Sequence, residues 1–228
     1  MENFNKQKFY YYNKTKVIGK KLINFKTINS TNEHASKLEN KIIKLHKNID
    51  FYNTLNGTVI ISETQVNGHG RNYKKWLSPA GGLWFTLILY SSIESSSVEK
   101  INLIMAISIY ETLKIEFNIN TKIKWPNDIY YEGKKICGIL SELNSHNIVT
   151  FLNIGVGLNV NISFKEFFLK DPEIISYASS LKEILNKYIN REKLLCIILK
   201  NFEINYEDYL LTKDMKNIFL KIKNSILI

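Results

Sequence analysis

Two stretches of this chain hold most of the side chains that could do chemistry. Residues 68–76 read GHGRNYKKW, with two glycines, one arginine and two lysines in nine positions. Bare backbone amides and long cations can surround a phosphate or a carboxylate, because glycine lets the chain come close and the cations neutralise the charge. Residues 124–128 read KWPND, and Gly133, Lys134, Lys135 and Gly138 follow. Pro126 forbids a helix across this point and pushes Trp125 extended, so a strand ends and Asn127 and Asp128 stand at its tip. On residue types alone, each stretch can also be read as a solvated turn.

The flanking pattern says what must position these residues. Ser30, Thr31, Asn32 and Glu33 read as a capping box, in which the Ser30 hydroxyl accepts from the Glu33 amide while Glu33 reaches back, with a helix to about Lys44. Short runs rich in apolar and β-branched residues predict strands over 57–65, 81–90, 121–125, 135–143 and 148–160. Ile101, Ile104, Met105, Ile109 and Leu113 recur near helical spacing and predict a long helix over 98–117. Helical segments follow over 179–190 and 191–211. Eight of the ten glycines are clustered, at 68/70, 81/82, 133/138 and 155/157, where the backbone turns sharply or lets a ligand approach. A β-rich middle with helices at both sides is an α+β pattern.

A chain of 228 residues, 45% hydrophobic and 23% charged, suits one compact domain and excludes disordered, collagenous and coiled-coil proteins. The net charge of +10 arises from 29 lysines and two arginines, Arg71 and Arg191, against 21 acidic residues. Ile, Lys and Asn make up 90 of the 228 residues, a mixture that an A- and T-rich genome favours. The lysines are spread along the whole chain, whereas a nucleic-acid binder concentrates arginine, so composition is the main source of the charge. Cys137 and Cys196 lie far apart and encode neither a disulfide framework nor a cysteine zinc site, which fits a reducing compartment. No apolar run approaches the roughly 18 residues that span a bilayer. Residues 1–21 lack a secretory signal and suit a loosely ordered extension or part of an organelle-targeting segment.

Taken together, GHGRNYKKWLSPAGGLWF, KWPNDIYYEGKKICGILSEL and IGVGLNV, in that order, with STN at Ser30 to Asn32, resemble the catalytic domain of the biotin protein ligases. The later ASSLKEI, NREKLL and NFEINYEDY resemble that family's closing helices, so the likeness spans about residues 27–209. It implies a mixed β-sheet flanked by helices, related to class II aminoacyl-tRNA synthetases. It also implies an ATP- and Mg²⁺-dependent reaction in two steps: biotin's carboxylate attacks the α-phosphate of ATP to give biotinyl-5′-AMP and pyrophosphate, and a lysine of a biotin carboxyl carrier domain then attacks the mixed anhydride, with AMP as the leaving group. The domains expected are an extension at 1–21, the catalytic domain at 22–209 and a short tail at 210–228.

The resemblance also carries over residue roles. Ser30, Thr31, Asn32, Gln65, His69 and Gly70 are expected to contact biotin. Arg71 and Lys135 are expected to contact both biotin and the adenylate, with Lys135 bridging biotin's carboxyl and the α-phosphate. Lys74, Trp76, Asn127 and Asn159 are assigned to ATP, and Asp128 to orienting or activating the acceptor lysine. The catalytic group is thus Lys135, Arg71 and Asp128, with no protein ligand to the metal assigned. Arg71 is one of only two arginines in a lysine-biased chain, and it supplies a planar fork that lysine cannot reproduce.

The chain departs from the family's pattern in places. His69 stands where the loop usually has its first arginine, and Tyr73 and Lys74 replace its later glycine and arginine. A neutral histidine gives up permanent charge and fork geometry, which weakens the hold on the adenylate. No helix-turn-helix domain precedes the catalytic part, so a repressor role and DNA as partner are not expected. Residues 210–228 are too few for the family's small C-terminal β domain. The cytoplasm is the expected compartment, with an organelle such as a plastid as the alternative, and a homodimer is left open. Two other readings compete: a lipoate or octanoate ligase or transferase, and a nonenzymatic basic nucleic-acid-binding module.

Overall fold

The computed structural model describes residues 3–45, 52–90, 97–146, 149–167, 173–222 and 225–227. Eight strands form one sheet: β1 (Leu22–Ile28), β2 (Val59–Gln65), β3 (Leu83–Tyr90), β4 (Lys122–Lys124), β5 (Asp128–Tyr131), β6 (Lys134–His146), β7 (Val149–Leu158) and β8 (Ile226–Leu227). Their order is β1-β2-β3-β7-β6-β5-β4-β8, parallel only for the outer pairs β1/β2 and β4/β8. The mixed sheet flanked by helices matches the α+β expectation. Pro126 closes β4 as anticipated, and Asp128 opens β5 two residues later. β2, β3, β6 and β7 fall within the predicted runs or extend them by a few residues, residue 148 lying outside the described part, whereas β1, β5 and β8 lie in no predicted run.

The period of two sorts the sheet residues into two cores. Leu83, Phe85, Leu87 and Leu89 of β3 and Leu152, Ile154, Val156 and Leu158 of β7 face the larger core. There they pack with α3 (Val98–Phe117) and α6 (Arg191–Thr212). The predicted stripe Ile101, Ile104, Met105, Ile109 and Leu113 is buried throughout, and α3 is buried on nearly all sides because α6 covers its outer face. On the opposite face Ile60, Ile88 and Phe151 pack beneath Ala35 and Leu38 of α2 (Thr31–Leu45). That helix covers only part of its face. Where its cover stops, β6 and β7 present Gly138, Gly155 and Gly157, and a hollow is left.

Three local expectations are corrected. Residues 1–21 are not loosely ordered over the described part. Helix α1 (Lys6–Tyr12) is capped by the Asn5 side chain, and Phe4 and Phe9 are buried in the larger core. The amides of Phe4 and Asn5 donate to the carboxylates of Glu63 and Glu192, and those of Lys16, Val17 and Ile18 donate to Glu203 at 2.7–3.0 Å. Buried Glu63 is itself gripped by both terminal nitrogens of Arg191, at 2.9 and 3.1 Å. Second, the helix expected over 179–190 is only α5 (Leu181–Leu185), because Asn186 turns left-handed at φ 51°. Third, the capping box is half formed. Ser30 accepts from the Glu33 amide at 3.5 Å, but Glu33 turns outward to Asn29 and Lys37.

Two short helices, α4 (Ile174–Tyr177) and α7 (Lys216–Leu220), complete the described α-helices. Through α7 and the β8 pairing with β4, residues 210–222 and 225–227 join the fold. Among the described residues no helix is long and apolar enough to cross a membrane.

Candidate active site

The hollow beside α2 has a volume of about 570 Å³ and lies between β6, β7, the start of α2 and the 68–76 loop. That loop folds back on itself: the Gly70 amide donates to Lys74 O at 2.7 Å and the Trp76 amide to Gly68 O at 2.8 Å, with Asn72 left-handed at φ 55°. The turn carries the Trp76 indole down onto the sheet. A Cβ at Gly157 would lie 2.5 Å from Trp76 Nε1, and one at Gly138 would lie 3.0 Å from the ring. These strand glycines therefore let an indole lie flat on the backbone, which any side chain would prevent.

One end of the hollow is neutral and polar. Thr31 donates to Gln65 Oε1 from its amide at 2.8 Å and from its hydroxyl at 3.2 Å, while Gln65 Nε2 donates to Ser78 Oγ at 2.9 Å. Thr86 Oγ1 donates to Asn32 Oδ1 at 2.6 Å and lies 2.8 Å from Thr31 Oγ1. The Asn32 amide nitrogen donates to Glu142 Oε2 at 2.7 Å and to Leu140 O at 3.3 Å. Asn32 lies against Gly155, where a Cβ would come within 2.4 Å of Oδ1. Ser30, Thr31 and Asn32 are all buried, so their polar atoms are held in fixed directions.

The other end is charged. Lys135 Nζ pairs with Asp128 Oδ2 at 2.7 Å and sits 5.0 Å above the centre of the Trp76 ring. Asp128 and Lys135 come together because β5 and β6 run antiparallel there, with Asp128 opposite Gly138. Burial, and then the Asp128 charge, raise the Tyr130 hydroxyl above its ordinary range. Arg71, Lys74 and Lys75 stand exposed on the rim. Two polar atoms at this end, Asp128 Oδ1 and Trp76 Nε1, are buried with no hydrogen-bond partner among the described residues. Trp76 Nε1 is turned to the Gly157 backbone, and Asp128 Oδ1 keeps an unused lone pair beside Lys135.

Comparison with known proteins places the chain in a family. The profile of the Biotin/lipoate A/B protein ligase family matches residues 24–159, more than half of the chain. The chain belongs to this family. The bifunctional ligase/repressor BirA of Bacillus subtilis is 33% identical over 199 residues, covering 86% of this chain and 57% of that protein. Biotin–protein ligase 2 of Arabidopsis thaliana is 29% identical over 171 residues, covering 71% and 49% of the two chains. The solved biotin protein ligase of Aquifex aeolicus in complex with biotin and ATP is 29% identical, with a TM-score of 0.72 over 91% of this chain and 79% of that one. The present chain thus spans little more than half the length of the curated relatives it matches.

For a chain of the biotin/lipoate ligase family, the residues singled out from sequence converge well. Ser30, Thr31, Asn32, Gln65, His69, Gly70, Arg71, Lys74, Trp76, Asn127, Asp128 and Lys135 all line the one hollow. Asn127 turns its amide to Ile139 O at 2.9 Å, so it holds the β4–β5 turn against β6. His69 reaches across to Glu142, with 3.8 Å between Nε2 and Oε1. Asn159 does not join them. Its side chain is buried under the sheet end, donating to Ser179 O and Lys135 O, and it braces the strand behind Lys135. Two polar residues of the network, Thr86 and Glu142, escaped the sequence reading. Thr86 is the lone aliphatic hydroxyl within the apolar run LWFTLILY. Glu142 lies on the same strand face as Gly138 and Leu140, at a spacing of two.

Proposed function

We propose that this chain is an ATP-dependent biotin protein ligase that forms biotinyl-5′-AMP and transfers biotin to a lysine of a biotin carboxyl carrier domain. The observation that carries this reading is the polarity of the hollow: a neutral hydrogen-bonding end, a floor of glycine and indole, and a cationic end. Biotin has the same sequence of chemistry, a neutral ureido ring, an aliphatic chain and a carboxylate. Thr31, Asn32 and Gln65, held from beneath by Thr86, offer fixed donors and acceptors to the ring, Trp76 offers its face to the chain, and Lys135 meets the carboxylate.

In the first step an anionic carboxylate approaches an anionic α-phosphate, and the residues present are suited to offset that repulsion. Lys135 exchanges its partner Asp128 for the substrate oxygens, so its charge is already in place and needs little reorganisation. Arg71 and Lys74 on the rim take the outer phosphates, which fits the polyphosphate sites that arginine forks favour. Asp128, released from Lys135, accepts a proton from the incoming lysine amine in the second step, and its unpartnered Oδ1 supports that reading. Closure of the 68–76 loop over the anhydride keeps water from it until that amine arrives. Among the described residues no three His, Cys, Asp or Glu side chains gather as a metal cage. Mg²⁺ would enter on the oxygens of ATP, as that ion commonly does.

The hydrogen-bonding end favours biotin over lipoate, whose dithiolane ring makes no use of fixed donors and acceptors and would leave them unpaired. The deciding experiment mixes the full chain with ATP, Mg²⁺ and an apo carrier domain, offering biotin or lipoate, and reads the carrier's mass. One biotinyl group gained on one lysine is the expected result; lipoyl transfer without biotinyl transfer overturns it.

A further inference from the structure

Glu142 lies near the end of the run KWPNDIYYEGKKICGILSEL without a role assigned to it there, yet it touches two separate parts of the site. On β6 it stands two residues beyond Leu140 and four beyond Gly138, so strand periodicity turns all three to the same face. Its two oxygens have different neighbours: Oε2 accepts from Asn32 Nδ2 at 2.7 Å, and Oε1 lies 3.8 Å from His69 Nε2. Asn32 is buried, its Oδ1 takes the Thr86 hydroxyl, and Gly155 leaves no room behind it. An amide in that slot has two orientations differing by a half-turn. Beside a carboxylate only one is favourable, because the flipped form sets the amide oxygen against the negative charge.

We propose that Glu142 is the positioning residue of this site, orienting the Asn32 amide toward the ligand's ring and tethering the 68–76 loop through His69. Its orienting half rests on the biotin ligase reading for the identity of the ligand; the tether rests on geometry alone. Here the histidine in place of the loop's usual arginine gains a use, since it faces a strand carboxylate from within the loop.

Two substitutions in the full chain separate the halves. Glu142→Gln keeps a carbonyl oxygen for Asn32 but removes the charge facing His69, whereas Glu142→Ala removes both. In the adenylation assay, Glu142→Ala raises KM for biotin roughly ten- to hundredfold, the range for losing a hydrogen bond to a charged group, while kcat at saturating biotin stays within about threefold. Glu142→Gln holds KM within about threefold of wild type. A merely structural residue would move KM, kcat and thermal stability together in both variants. For the tether, trypsin cleavage after Arg71, Lys74 or Lys75, followed without biotin, becomes several-fold faster in both variants. Wild-type KM in Glu142→Ala overturns the orienting half, and unchanged cleavage in both variants overturns the tether. A wild-type chain that forms no biotinyl-AMP overturns the functional reading and the orienting half with it, and the cleavage rates still decide the tether.

Discussion

Glu39 offers the sharpest test of how α2 is held on the sheet. Its side chain is fully buried; Oε2 accepts from Asn144 Nδ2 at 2.6 Å and Asn153 Nδ2 at 3.2 Å, and Oε1 has no partner among the described residues. Burial pushes the carboxyl up from 4.5 to about 7, against the opposing pull of the two amide donors. Because the folded value is the higher one, the native state keeps a proton that the unfolded chain has lost between those pH values. Stability therefore falls as pH rises from about 4.5 to about 7 and levels off above. The gap is worth about 3 kcal/mol at full extent, from about 1.4 kcal/mol for each pH unit. Glu39→Gln stays neutral and keeps an amide oxygen for Asn144, so it removes this penalty. In urea unfolding the variant should gain on wild type by about 2 kcal/mol between pH 5 and pH 8. A wild-type-to-variant difference that is the same at both pH values would refute the buried, proton-holding state of Glu39.

Three further outcomes follow from the packing. Lys135→Ala and Arg71→Ala should each lower the rate of biotinyl-AMP formation by roughly a hundredfold or more, measured by pyrophosphate release; near-wild-type rates would remove their roles. Gly157→Ala, whose Cβ would meet Trp76 Nε1 at 2.5 Å, should lift the indole from the floor and weaken biotin binding by roughly tenfold in calorimetry, and unchanged affinity would show the floor to be compliant. Arg191→Ala strands the Glu63 carboxylate in the interior and should cost about 3–5 kcal/mol in chemical unfolding, whereas a loss below about 1 kcal/mol would mean that water reaches Glu63.

The site was more legible in the sequence than its supports were. Glycines at 138, 155 and 157, a lone tryptophan in a basic loop and the carboxylate after Pro126 each break a local rule, and such breaks mark places where something must come close. β1 was invisible because an edge strand reading LINFKTI mixes Lys and Asn into its exposed positions. β5 escapes local pattern because its four residues begin at the very aspartate that the strand tip presents. Thr86 and Glu142 depend on partners more than fifty residues away in the chain, and local pattern carries no trace of such pairings. Asn159 shows the opposite error, a polar residue within a motif whose work is to tie strand to loop.

The carboxylates of Glu63, Glu192 and Glu203 that collect the amides of residues 4–18 bear on what counts as a unit in this protein. The family profile begins at residue 24 and ends at 159, yet α1 and α6, which close the larger core, both lie outside it. The segment that carries the chemistry is thus smaller than the segment that folds. Shortening the chain to its motifs would bare the faces of Ile104, Phe85 and Ile154 to water and leave Glu63 without its cation. Excising the reaction centre from its N-terminal strap would in this sense remove a wall rather than a decoration.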